Sequence, residues 1–158
     1  MTDAATSIMQ RLKAETNDLH SDAESRPLQR AIATGEVDRP AFTSYLGQLY
    51  HVHNTLETSL EKNRDSHPAI GALATSERMR IPDLDRDLKF FGLNHEQIVA
   101  GEAAQKFTSR VEEAAASSPV VLLGALYVLE GSTNGGRFLA MVLRKSWNLA
   151  NEGLAYFD

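Results

Sequence analysis

Apolar positions recur at helical spacing along nearly the whole chain. From Thr6 to about Ser25, Ile8, Leu12, Leu19 and Ala23 fall on one side, with Thr16 and His20 on the same broad stripe. Pro27 closes that segment, and a short helix then carries Leu28 and Ile32 up to Gly35, which is placed as a helix C-terminal cap. Asp38, ahead of Arg39 and Pro40, reads as an N-cap with proline in the first turn. The cleanest pattern follows. Phe42, Tyr45, Leu46, Leu49, Val52, His53, Leu56 and Leu60 step by three and four, which predicts a long core helix. Ser66 and Pro68 open another short helix, Pro82 opens one that runs through Leu84 and Leu88 to Gly92, and Ala103, Phe107 and Val111 mark a further one.

The most apolar stretch, PVVLLGALYVLEG, restarts the chain at Ser118 and Pro119. Val120 and Val121 suit a strand locally, but the run through Leu126 and Leu129 is longer than a typical strand and reads as a buried helix. Gly131, Gly135 and Gly136 interrupt it, and helical spacing resumes with Phe138, Met141, Val142 and Leu143. Strand-like alternation and hairpin signals between strands are missing elsewhere, as are repeats and linkers. The pattern predicts a single all-α domain over residues 1–158.

Composition narrows the chemistry. A chain of 158 residues buries roughly 68–70% of its unfolded surface and needs no cross-link to hold a core. It contains no cysteine, so thiolate zinc sites, iron–sulfur clusters and cysteine nucleophiles are excluded; a metal must sit on His, Asp, Glu or backbone oxygen. Sixteen Lys and Arg against 21 Asp and Glu give a net charge of −5, which argues against nucleic acid as a partner. The N-terminus lacks the basic head and apolar run of a signal peptide, and no stretch reaches the ~18 apolar residues of a membrane span. The expectation is a cytoplasmic protein without a membrane partner.

Three features rise above a plain helical domain. His20 lies on the mainly apolar face of the first helix with Glu24 one turn later. A neutral imidazole there could bind a metal while the carboxylate fixes its tautomer; the same spacing also fits a packed or half-exposed histidine. Gly131-Ser132-Thr133-Asn134-Gly135-Gly136 places three glycines in six positions, each interior one costing roughly 1 kcal/mol relative to alanine. Such a stretch admits a flat ligand against the backbone, a tight helix crossing, or an ordinary loop. In His51-Val52-His53, only His53 sits on the apolar stripe, so it reads as core or cavity lining and His51 as surface. Glu57, Glu61 and Glu130 raise a carboxylate di-metal site, but the paired Glu-x-x-His signature of such sites is missing.

Taken together, LKAETNDLHSDAE and GALYVLEGSTNGGRFLA resemble the proximal and distal helices of the heme oxygenase family, particularly its bacterial biliverdin-producing branch. YLGQLYHVHNTLE and IPDLDRDLKFFG are similar to the family's intervening helices in order and spacing. The resemblance implies a heme oxygenase-like helical bundle with heme between the two outer helices. It makes His20 the axial iron ligand and Glu24 the partner of its ring nitrogen. It puts Lys13 near a heme propionate, Thr16 and Ala23 on the proximal wall, and Gly131 and Gly135 against the heme, with Gly136 completing the bend. Ser132 stands where the animal enzymes have an aspartate that supports proton delivery.

The implied reaction is oxidative cleavage of heme to biliverdin, carbon monoxide and ferrous iron. It uses O2 and electrons from a donor such as ferredoxin, flavodoxin or a reductase, with heme as both substrate and cofactor. The family continues beyond GLAYFD with further helical structure, so a chain lacking the C-terminal region is expected. A non-catalytic heme carrier or sensor, and a helical interaction protein that binds no heme, are the alternatives on the same scaffold.

Overall fold

The computed structural model describes residues 8–133 and 135–158; the side chains of Ile8, Met9, Ser132 and Thr133 lie outside that description. All regular structure among the described residues is helical. The helices are α1 (Ile8–Ser25), α2 (Pro27–Thr34), α3 (Arg39–Lys62), α4 (Pro68–Leu73), α5 (Ile81–Phe90), α6 (Glu102–Ser117), α7 (Leu122–Thr133) and α8 (Gly136–Trp147). Short 3-10 turns link several of them, and one more, Ala155–Phe157, follows α8.

The boundaries follow from local chemistry. Asp38 caps α3, its side chain accepting from the Ala41 amide at 2.7 Å, and Pro40 occupies the first turn where no amide bond is lost. Gly35 closes α2 at φ 74°, a left-handed conformation open to glycine at little cost. Pro27 does not merely end the first helix; it starts the second, because a proline at the first helical position gives up an amide that would have no partner. At α4 the cap is His67 rather than Ser66: its Nδ1 accepts from the Ala69 amide at 3.1 Å.

The long helix α3 organises two apolar clusters. Its N-terminal half contributes Phe42 and Leu46 to a core shared with Ile32 of α2, Leu84 and Leu88 of α5, Ala140 and Leu143 of α8, and Leu154, Tyr156 and Phe157. Its C-terminal half contributes Leu56 and Leu60 to a second core with Ile70, Val111, Leu122 and Leu126. Phe42 sits at an aromatic junction, edge-on to Trp147 at 5.1 Å and Phe91 at 5.8 Å and stacked on Phe157 at 5.9 Å.

Two elements are less buried than their sequence suggests. Residues 10–25 of α1 are all exposed, and α1 packs beside α2. The apolar run of α7 buries Leu122 and Leu126, whereas Tyr127 and Val128 are open to solvent. The run is apolar all round, so its pattern does not mark which side meets the core. No helix among the described residues is long and apolar enough to cross a membrane.

Candidate functional site

On α1, Lys13, Thr16, His20 and Glu24 follow one another at spacings of three and four and therefore share a face. His20 Nδ1 stands 3.4 Å from Glu24 Oε1, with the two side chains 68% and 72% exposed. Engagement of Nδ1 leaves Nε2 as the nitrogen available to a ligand. The Thr16 hydroxyl donates to the Leu12 carbonyl at 2.8 Å and so turns back onto its own helix. Ala23 and Lys13 are exposed.

The glycine-rich stretch has a different layout from a break beginning at Gly131. Helix α7 continues through Gly131 to Thr133, and the junction falls at Gly135, after which α8 starts directly. The three glycines meet different surroundings. Among the described residues, a Cβ at Gly131 would have nothing within 4 Å, and the same holds for Gly124 two turns earlier. Gly124, Tyr127, Val128 and Gly131 lie along one exposed stripe of α7. Past the junction, Phe138 and Met141 of α8 are also open to solvent, 56% and 59% exposed. Gly135 is exposed, whereas Gly136 is buried with the Phe157 carbonyl oxygen 2.9 Å from where its Cβ would be. Gly136, expected to complete the bend, is thus also demanded by packing within the protein. The Ser132 side chain, with Thr133 and Asn134, lies outside the described residues.

His20 and Glu24 are therefore brought together on α1, while Gly131 lies in the last turn of α7 and Gly135 at the α7–α8 junction. Two surface cavities lie elsewhere. One, of about 480 Å³, is bordered by Arg80, Asp83, Arg86, Phe90 and Glu152; the other lies along Asn54, Thr58, Glu61 and Met79. Neither is lined by His20 or by the glycines. The other histidines and carboxylates weighed as metal ligands, His51, His53, Glu57, Glu61 and Glu130, have structural partners. His53 is buried between Glu57 at 3.3 Å and the Tyr156 hydroxyl at 3.2 Å. His51, half-buried rather than fully at the surface, contacts the Ile98 carbonyl at 2.8 Å. Glu57 also accepts from the Arg80 amide, Glu61 pairs with Arg64, and Glu130 faces Arg78 at 3.4 Å.

Sequence reasoning passed over two residues in this region, Asp87 and Tyr156. Asp87 is fully buried on α5, and Tyr156 closes over His53. The signal for Asp87 was present: it lies between Leu84 and Leu88 on the stripe that α5 turns to the core, where a charged residue is out of place unless something satisfies it.

The profile of the heme oxygenase family matches residues 6–158. Heme oxygenase 1 of the cyanobacterium Synechocystis is 29% identical over 157 residues, covering 98% of this chain and 65% of that protein. Human heme oxygenase 1 is 28% identical over 155 residues, covering 95% of this chain and 54% of the human protein. The chain thus spans between half and two thirds of the length of these two relatives. The crystal structure of the Synechocystis heme oxygenase-1 in complex with heme superposes with a TM-score of 0.84 at 28% identity, over 94% of this chain and 68% of that one.

Proposed function

Because the chain belongs to the heme oxygenase family, we propose that it binds heme between α1 and the α7–α8 junction and cleaves it oxidatively to biliverdin, carbon monoxide and ferrous iron. The observation that carries the reading is the open stripe at Gly131. Glycine in a helix costs roughly 1 kcal/mol, and among the described residues no atom lies near enough to require it. An exposed apolar stripe with a bare backbone at its centre suits a flat apolar ligand better than it suits water. His20 supplies the complementary donor. Its imidazole is held at Nδ1 by Glu24 and stands free of the core, so Nε2 would be the nitrogen to hold the iron of a bound heme.

When bound, heme supplies the redox chemistry with O2, and electrons come from a donor such as ferredoxin, flavodoxin or a reductase. The chain's own residues orient and shield. Glu24 would fix the His20 tautomer, Lys13 would offer a cation to a propionate, Thr16 and Ala23 would line the His20 side of the ligand, and Gly131 and Gly135 would keep side chains off its other side. Ser132, whose side chain lies outside the described residues, would stand in for the aspartate of the animal enzymes. This chemistry would run in the cytoplasm.

A heme titration of the wild type and of His20→Ala tests the reading. The wild type is expected to saturate at one heme per chain with a histidine-ligated spectrum, and His20→Ala to lose that spectrum. Identical spectra and affinities in the two proteins would remove the axial assignment. A wild type with no saturable Soret band would remove the heme reading altogether.

A further inference from the structure

Asp87 has no exposed surface, and neither the heme ligand nor the glycine wall uses it. Its carboxylate bridges two consecutive amides, Oδ1 accepting from Ala155 at 2.8 Å and Oδ2 from Tyr156 at 2.9 Å. A buried carboxylate is tolerated only with such partners. The pairing also dictates the residue type: a leucine of similar volume would leave two amides without acceptors, and asparagine would turn an NH2 group toward an N–H donor.

The turn held in this way makes three contacts further on. The Tyr156 hydroxyl reaches His53, the Phe157 ring stacks on Phe42, and the Phe157 backbone closes against Gly136. A Cβ at position 136 would lie 2.9 Å from the Phe157 oxygen and 3.2 Å from its Cα, so this is backbone-to-backbone seating that only glycine allows. Gly136 is the first residue of α8, next to Gly135, whose carbonyl accepts the amides of Phe138 and Leu139 at 3.2 and 3.3 Å. Arg137 Nε adds a bond to the Asp158 carbonyl at 3.2 Å. The start of α8 thus abuts a turn whose position is set from α5 through one carboxylate.

We infer that Asp87 is a positioning residue for the α7–α8 junction: by clamping the amides of Ala155 and Tyr156 it fixes the seat of Gly136, and with it the point at which α8 begins and the surface the junction presents to a ligand. The consequence for the ligand rests on the heme reading; the coupling itself is a property of the protein alone.

Hydrogen exchange on Asp87→Asn without heme tests the coupling. Loss of an acceptor for a charge-assisted bond should speed exchange by about tenfold or more at Ala155 and Tyr156, and also at Phe138 and Leu139, while α6 stays as in the wild type. Faster exchange confined to residues 155–157 would overturn the inference, since the turn could then move without α8. Should Asp87→Asn fail to fold, Asp87→Glu keeps the charge and shifts it by one methylene. The same two stretches should then loosen together, and loosening of the turn alone would again count against the inference. With heme added, the pH midpoint of the ferric Soret band should differ between Asp87→Asn and the wild type at unchanged stoichiometry, and an unchanged midpoint would remove the ligand-facing part. A wild type that takes up no heme sinks the heme reading, and the exchange result still decides the coupling.

Discussion

His53 and Tyr156 meet in the interior across 103 positions of sequence, the ring Nε2 3.2 Å from the tyrosine hydroxyl. Glu57 holds the other ring nitrogen at 3.3 Å, so the imidazole is satisfied at both ends inside a site only 4% exposed. Tyr156→Phe keeps the ring packing but leaves a buried nitrogen without its partner. The expected cost is about 1–3 kcal/mol in urea unfolding, with an unchanged m-value. A loss below a few tenths would mean that the contact contributes little.

Burial holds the Asp87 carboxyl above its ordinary value of 3.8; the amides of Tyr156 and Ala155 pull it down, while Asp83 raises it and Arg86 lowers it by lesser amounts. The raised position means that the folded protein binds more protons than the unfolded chain between pH 3.8 and the folded-state value. Stability contributed by this titration is fully present below the unfolded value and is lost as pH rises through the folded one. The stability difference between wild type and Asp87→Asn should therefore shrink as pH rises across that window and then level off. A difference that grows with pH would show that the carboxylate is favoured by folding instead.

The two glycines on either side of the junction should respond oppositely to substitution. Gly131→Leu has open space around it and should change stability by less than about 1 kcal/mol while weakening heme uptake. Gly136→Ala drives a methyl group into the Phe157 backbone and should cost about 1–3 kcal/mol even without heme. Thermal unfolding of both variants beside heme titration separates the roles, and a destabilised Gly131→Leu with normal heme uptake would reverse the assignment.

Phe42 offers a check on the core itself. It is fully buried among Trp147, Phe91 and Phe157, and Phe42→Ala should cost about 3–5 kcal/mol. A cost near 1 kcal/mol would mean that the aromatic junction collapses readily around the gap.

Much of this fold was legible in the chain because its helices carry one-sided patterns and explicit punctuation. The α3 stripe from Phe42 to Leu60, the Asp38 cap and Gly35 are read from local spacing and are found as expected. The buried side of α7 was not legible, since a run that is apolar all round does not say which face meets the core. Position within the punctuation was also ambiguous: three glycines announced a junction, but α7 holds through Gly131 because nothing opposes a helix there except propensity. His20, Glu24 and the glycines were recognised as motifs. Asp87 is marked by its place on the apolar stripe of α5, but its role is not legible, because its partners lie 68 and 69 positions away on amides that carry no sequence signature.

The most direct test of the central claim uses one cuvette. The wild-type chain is loaded with one equivalent of heme, a reductant and oxygen are admitted, and the visible spectrum is followed. Decay of the Soret band with the appearance of biliverdin absorbance is the predicted result. A Soret band that persists unchanged through reduction and oxygenation would contradict the oxygenase reading and leave a heme-binding protein without turnover.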